Sequence, residues 1–301
     1  MTKKLLAALL LGGCAGNDDT QPDVANDETD APVVYVSNYP LEYFANRIGG
    51  GVVRVEFPMT TATDPAFWRP DAAVVIAMQT AELILLNGAT YEKWIDLVTL
   101  PAANVVNTSA GFVDRYLTVA SAVTHTHGPE GEHSHEGTAF TTWLDPTLAI
   151  LHAEAVTNAL SERWPNSASA FQDNLAILRE DLDRLDGDLG DATAALRDVP
   201  LLASHPIYQY FAAHYGLDIE AVTWEPDEMP SEREWNALRD LLRRHPARLM
   251  LWEAEPAAAI AARLAEMGVG ALVFGQYGNR PDVGDYLDAM NANAERLGAP
   301  R

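Results

Sequence analysis

The sequence predicts an α/β protein of two lobes, each a mainly parallel four-stranded sheet flanked by helices, the two joined by one long rigid helix. Two blocks of four short apolar runs, separated by amphipathic stretches, carry that prediction. A leucine-striped segment between the blocks supplies the joining helix. The length agrees: 301 residues, 48% of them hydrophobic, suffice for two modest cores.

Taken in order, the chain opens on Lys3 and Lys4, an apolar run from Leu5 to Leu11, and the segment Leu11-Gly12-Gly13-Cys14. A charged start, a short apolar stretch and small residues before a cut are the order of a secretory signal. The run is too short to span a bilayer as a helix. With its cysteine at the cut it resembles the bacterial lipobox, which implies that residues 1–14 are a lipoprotein signal and that Cys14 is the lipidated mature N-terminus. Cys14 is the only cysteine, so an exported chain of this sequence has no internal disulfide. Residues 15–30, rich in acids and without an aromatic, read as a disordered tether.

The first lobe is expected over residues 31–164, with strands at 33–39, 52–59, 83–87 and 104–109. Between the first two, Leu41, Phe44, Ala45 and Ile48 share one face of a helix. The connector is expected at 166–197. There Phe171, Leu175, Leu178, Leu182, Leu185 and Leu189 recur at spacings of four and three, after the start signal Pro165-Asn166-Ser167. About thirty helical residues would reach roughly 45 Å. The second lobe, residues 198–301, repeats the scheme with strands at 200–204, 219–224, 248–253 and 271–274. Helices at 231–244 and 256–267 lie between them. Strand, helix, strand in that order argues for parallel sheets covered on both faces.

Formal charge is −23, from 43 acids against 20 bases. Such a surface repels phosphate backbones and anionic headgroups, so no nucleic-acid partner is expected. It suits cation capture, although it suits plain solubility equally. Thr124 to Gly137, THTHGPEGEHSHEG, has no apolar residue and is broken by glycines and a proline, which predicts an exposed loop. It holds His125, His127, His133 and His135 among Glu130, Glu132 and Glu136. Neutral imidazole is a preferred ligand of zinc and related ions, so the loop reads as an auxiliary metal site of modest affinity, with a solvated connection as the alternative. No HExxH, no GxSxG elbow and no P-loop is present, and no nucleophile accompanies His205 and Glu225; the chain does not read as an enzyme.

Several local motifs now combine: QTAELILLNG at 79–88, Trp143-Leu144-Asp145-Pro146 after the His-rich loop, Ser204-His205-Pro206 with Tyr210-Phe211, and Trp224-Glu225-Pro226. With the lipobox and the two lobes, they resemble the zinc/manganese-binding proteins of ABC importers over essentially the whole mature chain. The resemblance implies an extracytoplasmic, membrane-anchored monomer that captures a divalent ion, zinc or manganese, between the lobes and delivers it to an ABC permease. Several family ligands are missing. Asp64-Pro65 is followed by Ala66 where a histidine is expected, Thr141 stands two residues before Trp143 in place of a second, and VFGQYG puts Gly275 or Gly278 where a late Asp would fall. His205 and Glu225 match. The expected site is therefore His205, Glu225, Glu253 and Glu228, with Asp64 and Glu255 as further substitutes. Glu253 and Glu255 end the third run of the second lobe, where α/β proteins place ligand contacts. Read alone, His205 is better taken as a buried histidine bonded to backbone; it is the resemblance that gives it a role in the cleft. Alternatives are a paralogue that binds a non-metal ligand, or a structural or adhesive surface lipoprotein.

Overall fold

The computed structural model describes residues 31–59, 64–119, 124–126, 132–134 and 137–299. The signal segment, Cys14 and the tether lie outside them, as do His127 and His135.

The first sheet comprises β1 (Val33–Val36), β2 (Arg54–Glu56), β3 (Leu83–Leu86) and β4 (Val105–Asn107), in the order β2-β1-β3-β4. All pairs are parallel: Val34 stands opposite Val55 on one side and Leu83 on the other. Helices α1 (Tyr39–Gly49) and α2 (Ala72–Gln79) make the first two crossovers. Asn38 caps α1 by accepting from Leu41 N–H, with Pro40 in the first turn, and Gly50 ends it in the left-handed region (φ 55°).

A two-stranded patch of β5 (Thr118–Val119) and β8 (Gly137–Thr138) frames the His-rich segment. Within that segment two short strands are described. β6 (Thr124–Thr126) pairs antiparallel with β7 (Glu132–Ser134), which sets the backbones of His125 and His133 opposite each other.

Two long helices follow. The sequence pattern did not predict the first, α3 (Pro146–Arg163), which Asp145 caps by accepting from Thr147 and Leu148 N–H. The second, α4 (Ala168–Thr193), is the expected connector, at 26 residues or about 39 Å. It buries Phe171, Leu175, Leu178, Leu182, Leu185 and Leu189, the stripe read from the sequence, together with Thr193. The stripe packs on α1, α3 and the C-terminal helix α8 (Tyr286–Gly298).

The second sheet repeats the topology of the first. Strands β9 (Pro200–Ala203), β10 (Asp218–Ala221), β11 (Leu249–Trp252) and β12 (Gly270–Val273) run parallel in the order β10-β9-β11-β12. Helices α5 (Gln209–Tyr215), α6 (Glu232–Arg244) and α7 (Ala258–Glu266) connect them. Ser231 and Glu234 close a reciprocal capping box on α6. Among the described residues no helix is long and apolar enough to cross a membrane.

In each sheet the strand order reverses direction between its first and third strands in chain order, β1 and β3 or β9 and β11. Open α/β sheets form a crevice at the carboxyl ends of such strands. The two crevices supply the candidate site and its lobe-one wall.

Candidate metal-binding cleft

Each strand of the second sheet runs into a residue of the cleft. Past β9 comes His205, past β10 Glu225, past β11 Glu253, and past β12 the turn from Gly275 to Gly278. The ladder continues beyond the strands and fixes these ends: Ser204 N–H donates to Leu251 C=O (2.8 Å), Trp224 N–H to Ser204 C=O (2.9 Å), and Phe274 N–H to Trp252 C=O (2.7 Å). Because β9 lies between β10 and β11, His205 is delivered between the two glutamates.

The distances follow that layout. His205 Nε2 lies 3.3 Å from Glu225 Oε1 and Nδ1 lies 2.9 Å from Glu253 Oε1, with the imidazole only 3% exposed. Burial, the largest single influence, pushes the ring towards its neutral form. Hydrogen bonds to Glu225 and Glu253, reinforced by their charges, outweigh it and raise the histidine to about 10. The balance favours an imidazolium clamped by two carboxylates.

Glu228 forms no ion pair with His205 among those described. With Glu225 it lines a separate cavity of about 250 Å³, between Trp224 and Met229, whose lining excludes His205. Of the expected four residues, ion pairs join His205, Glu225 and Glu253, and Glu228 adjoins them only through the cavity it shares with Glu225. Glu255 is exposed. Among the described residues no group of three or more His, Cys, Asp or Glu is already arranged around a point where a metal ion would sit. At His205 both ring nitrogens face carboxylates.

The positions that lack the expected ligands have other occupations. Ala66 is 1% exposed, with its methyl in the core and its N–H bonded to Asp64 Oδ1 (2.9 Å). Thr141 is buried, and its hydroxyl donates to Ile207 C=O, a bond from lobe one to the residue two beyond His205. Gly275 is bracketed by Asn293, whose side chain accepts from Gly275 N–H (3.2 Å) and donates to its C=O (2.8 Å).

Further bonds hold the lobes around this turn. Trp143 Nε1–H donates to Gln276 C=O (2.6 Å), Tyr39 N–H to Gly278 C=O (2.9 Å), and Tyr286 Oη–H to Trp143 C=O (3.0 Å). Arg280 grips Glu42 with two bonds of 2.8 and 2.6 Å and lies over the Phe57 ring.

Sequence reasoning missed the lobe-one wall. Glu92, at the carboxyl edge of β1 and β3, is buried and accepts from Ser37 Oγ (2.6 Å), Asn87 N–H (2.6 Å) and Gly88 N–H (3.1 Å). Burial raises its pKa, and these bonds oppose that shift. The preceding turn has three consecutive positive φ values, at Gly88 (75°), Ala89 (49°) and Thr90 (64°). At Gly88 a Cβ would meet Asn107 Oδ1 at 2.0 Å, so only glycine fits. The turn presents Tyr91, whose ring stands edge-on to Phe140 and Trp143. The Asn-Gly pair before Tyr91-Glu92 was the available signal. Trp68 packs edge-on to Trp94, and Trp224 packs on Trp235.

A second cavity, of about 420 Å³, lies between β5 and the second sheet; Thr118 and Val119 form one wall, and His205, Tyr208 and Glu220 are among the others. The strands that frame the His-rich segment thus border His205.

The fold is shared with known metal-binding proteins. The Zn(II)-bound ZnuA-like domain of Streptococcus pneumoniae AdcA superposes with a TM-score of 0.75 at 21% identity, covering 89% of this chain and 98% of that one. The metal-dependent lipoprotein YcdH of Bacillus subtilis gives 0.74 at 21% identity over the same shares. In sequence, the zinc-binding lipoprotein AdcA of S. pneumoniae is 27% identical over 237 residues, 77% of this chain and 47% of that protein. AdcA of Streptococcus pyogenes is 27% identical over 283 residues, 88% of this chain and 55% of that protein. The chain thus spans about half the length of these curated relatives. Residues 34–299 match the family described as zinc-uptake complex component A, periplasmic (ZnuA), and the chain belongs to that family.

Proposed function

We propose that this chain is the extracytoplasmic solute-binding protein of a metal ABC importer, capturing a divalent ion in the interlobe cleft and delivering it to a membrane permease. The observation that carries the reading is His205 held between Glu225 and Glu253 at the strand-order reversal of the second sheet. One imidazole with two carboxylates suits a transition-metal cation better than calcium or magnesium, which take all-oxygen shells. Relatives named as zinc-binding support zinc as the cargo. The site is rich in oxygen, which favours manganese-like ions, while the Irving–Williams order favours zinc at equal geometry. Cys14 anchors the chain to the membrane through lipid, residues 15–30 serve as its tether, and the protein acts as a monomer. The His-rich segment is an auxiliary site, with His125, His127, His133 and His135 as its donors.

The test is a calorimetric titration of zinc and of manganese into the mature protein lacking residues 124–137. His205→Ala should weaken binding at least about tenfold, or roughly 1.4 kcal/mol. A protein that binds neither ion, or binds as well without His205, would refute the reading and leave a paralogue for a non-metal ligand.

A further inference from the structure

Three of the four strands in the second sheet deliver a donor to the cleft: His205 from β9, Glu225 from β10 and Glu253 from β11. The fourth, β12, leads into Gly275, which has no side chain. Its side-chain space is nevertheless filled. A Cβ built on Gly275 would lie 2.7 Å from Tyr277 Cζ and 3.0 Å from Tyr277 Oη, so the phenol folds back over the glycine.

We propose that Tyr277 Oη is the fourth donor of the cleft, contributing an oxygen to the bound ion from β12.

Four observations support this. First, Tyr277 adopts φ 52°, a left-handed conformation unfavourable for a residue with a bulky side chain. Such strain persists only where the surroundings impose it, and it gathers at ligand-binding positions. Second, its neighbours are pinned to lobe one: Gln276 C=O accepts from Trp143 and Gly278 C=O from Tyr39, so Tyr277 sits on the turn that spans the cleft. Third, Tyr208, which lines the cavity at His205, is raised by burial and then by the charges of Glu253 and Tyr277, which places both within electrostatic reach of one phenol. Fourth, the same turn faces a second phenol on lobe one. Tyr91 is 1% exposed, its Oη has no hydrogen-bond partner among the described residues, and it lies 3.2 Å from where a Cβ on Gly278 would stand. Buried polar groups are nearly always hydrogen-bonded, so this hydroxyl calls for a partner at the turn.

With Tyr277 the donor set is one nitrogen and three oxygens. Hard oxygen ligands suit manganese-like ions more than zinc-like ones. The inference rests on the metal-binding reading above and deepens it towards the class of ion.

The experiment uses the full mature chain with zinc alone and manganese alone, measuring affinity and the near-ultraviolet tyrosine difference spectrum on metal addition. Tyr277→Phe keeps the ring that fills the space over Gly275 and removes only the oxygen. It should weaken manganese binding about tenfold, weaken zinc binding less, and abolish the tyrosine difference band. A second pair guards against a purely structural effect. Tyr277→Gly should lose affinity, and Gly275→Asp in that background should recover it by placing a carboxylate in the vacated space. If His205→Ala abolishes binding while Tyr277→Phe changes neither affinity nor spectrum, this inference falls and the metal reading stands. If the parent protein binds neither ion, both fall.

Discussion

On the proposed reading, loading the cleft displaces a proton, and the magnitude follows from His205. A metal-binding imidazole nitrogen must be free of its proton, yet Glu225 and Glu253 hold this ring protonated up to about pH 10. At pH 7 the proton lies about three pH units below its release point, which opposes binding by roughly 4 kcal/mol, or about a thousandfold in affinity. Apparent affinity should therefore climb about tenfold per pH unit between pH 6.5 and 8.5, with close to one proton released per ion. A histidine at its ordinary value of about 6.5 would give an almost flat profile above pH 7. The assay is calorimetry of metal binding in buffers of different ionisation enthalpy, using protein without residues 124–137 so that the loop imidazoles do not contribute. Glu253→Gln removes the nearer carboxylate and should reduce both the slope and the proton release. The same shift governs the unloaded fold. Its contribution to stability is fully present below the unfolded value of about 6.5 and is lost as pH rises through the folded value. Release of well under half a proton per ion at pH 7.5 in the unsubstituted protein would refute the clamp.

Two further outcomes follow from the packing. His152 is buried between the hydroxyls of Thr108 (2.7 Å) and Thr142 (2.8 Å), and burial lowers its pKa to about 3. The unfolded chain takes up that proton near pH 6.5 and the folded chain does not, so stability falls with acid across the window between the two values. By pH 5 this amounts to roughly 2 kcal/mol, and His152→Asn should flatten that part of a urea-midpoint profile. Leu182 is fully buried on α4. Leu182→Ala should destabilise the protein by about 2–5 kcal/mol in denaturant titration, and a loss under 1 kcal/mol would mean that the connector packs less tightly than described.

What the sequence disclosed and what it withheld have separate physical causes. The two sheets were legible because parallel strands buried on both faces read as apolar runs, as 83–86 and 249–252 do. The α4 stripe was legible because one face alone is buried, which imposes the spacing of three and four. Helix α3 lacks that contrast: Leu148, Ala149, Ile150, His152 and Ala153 are all buried, so apolar residues surround it and no period stands out. The triad of His205, Glu225 and Glu253 was within reach because each residue closely follows a strand, and strand ends meet at one edge. Glu228 follows the same strand as Glu225 and shares a cavity with it, but His205 does not line that cavity, which linear spacing does not encode. The engagement of Thr141 with Ile207 spans 66 positions and depends on how the lobes pack. Tyr277 was invisible for a local reason: its place over Gly275 follows from a positive φ that no tyrosine adopts by preference.

The central claim is that the ion sits on the second lobe's strand ends, and anomalous diffraction locates an ion directly. Crystals of the mature protein grown with one equivalent of zinc should show an anomalous peak about 2.0–2.2 Å from a ring nitrogen of His205 and from a carboxylate oxygen of Glu225 or Glu253. A peak confined to the 124–137 segment, with His205 still held between its two glutamates, would contradict the account.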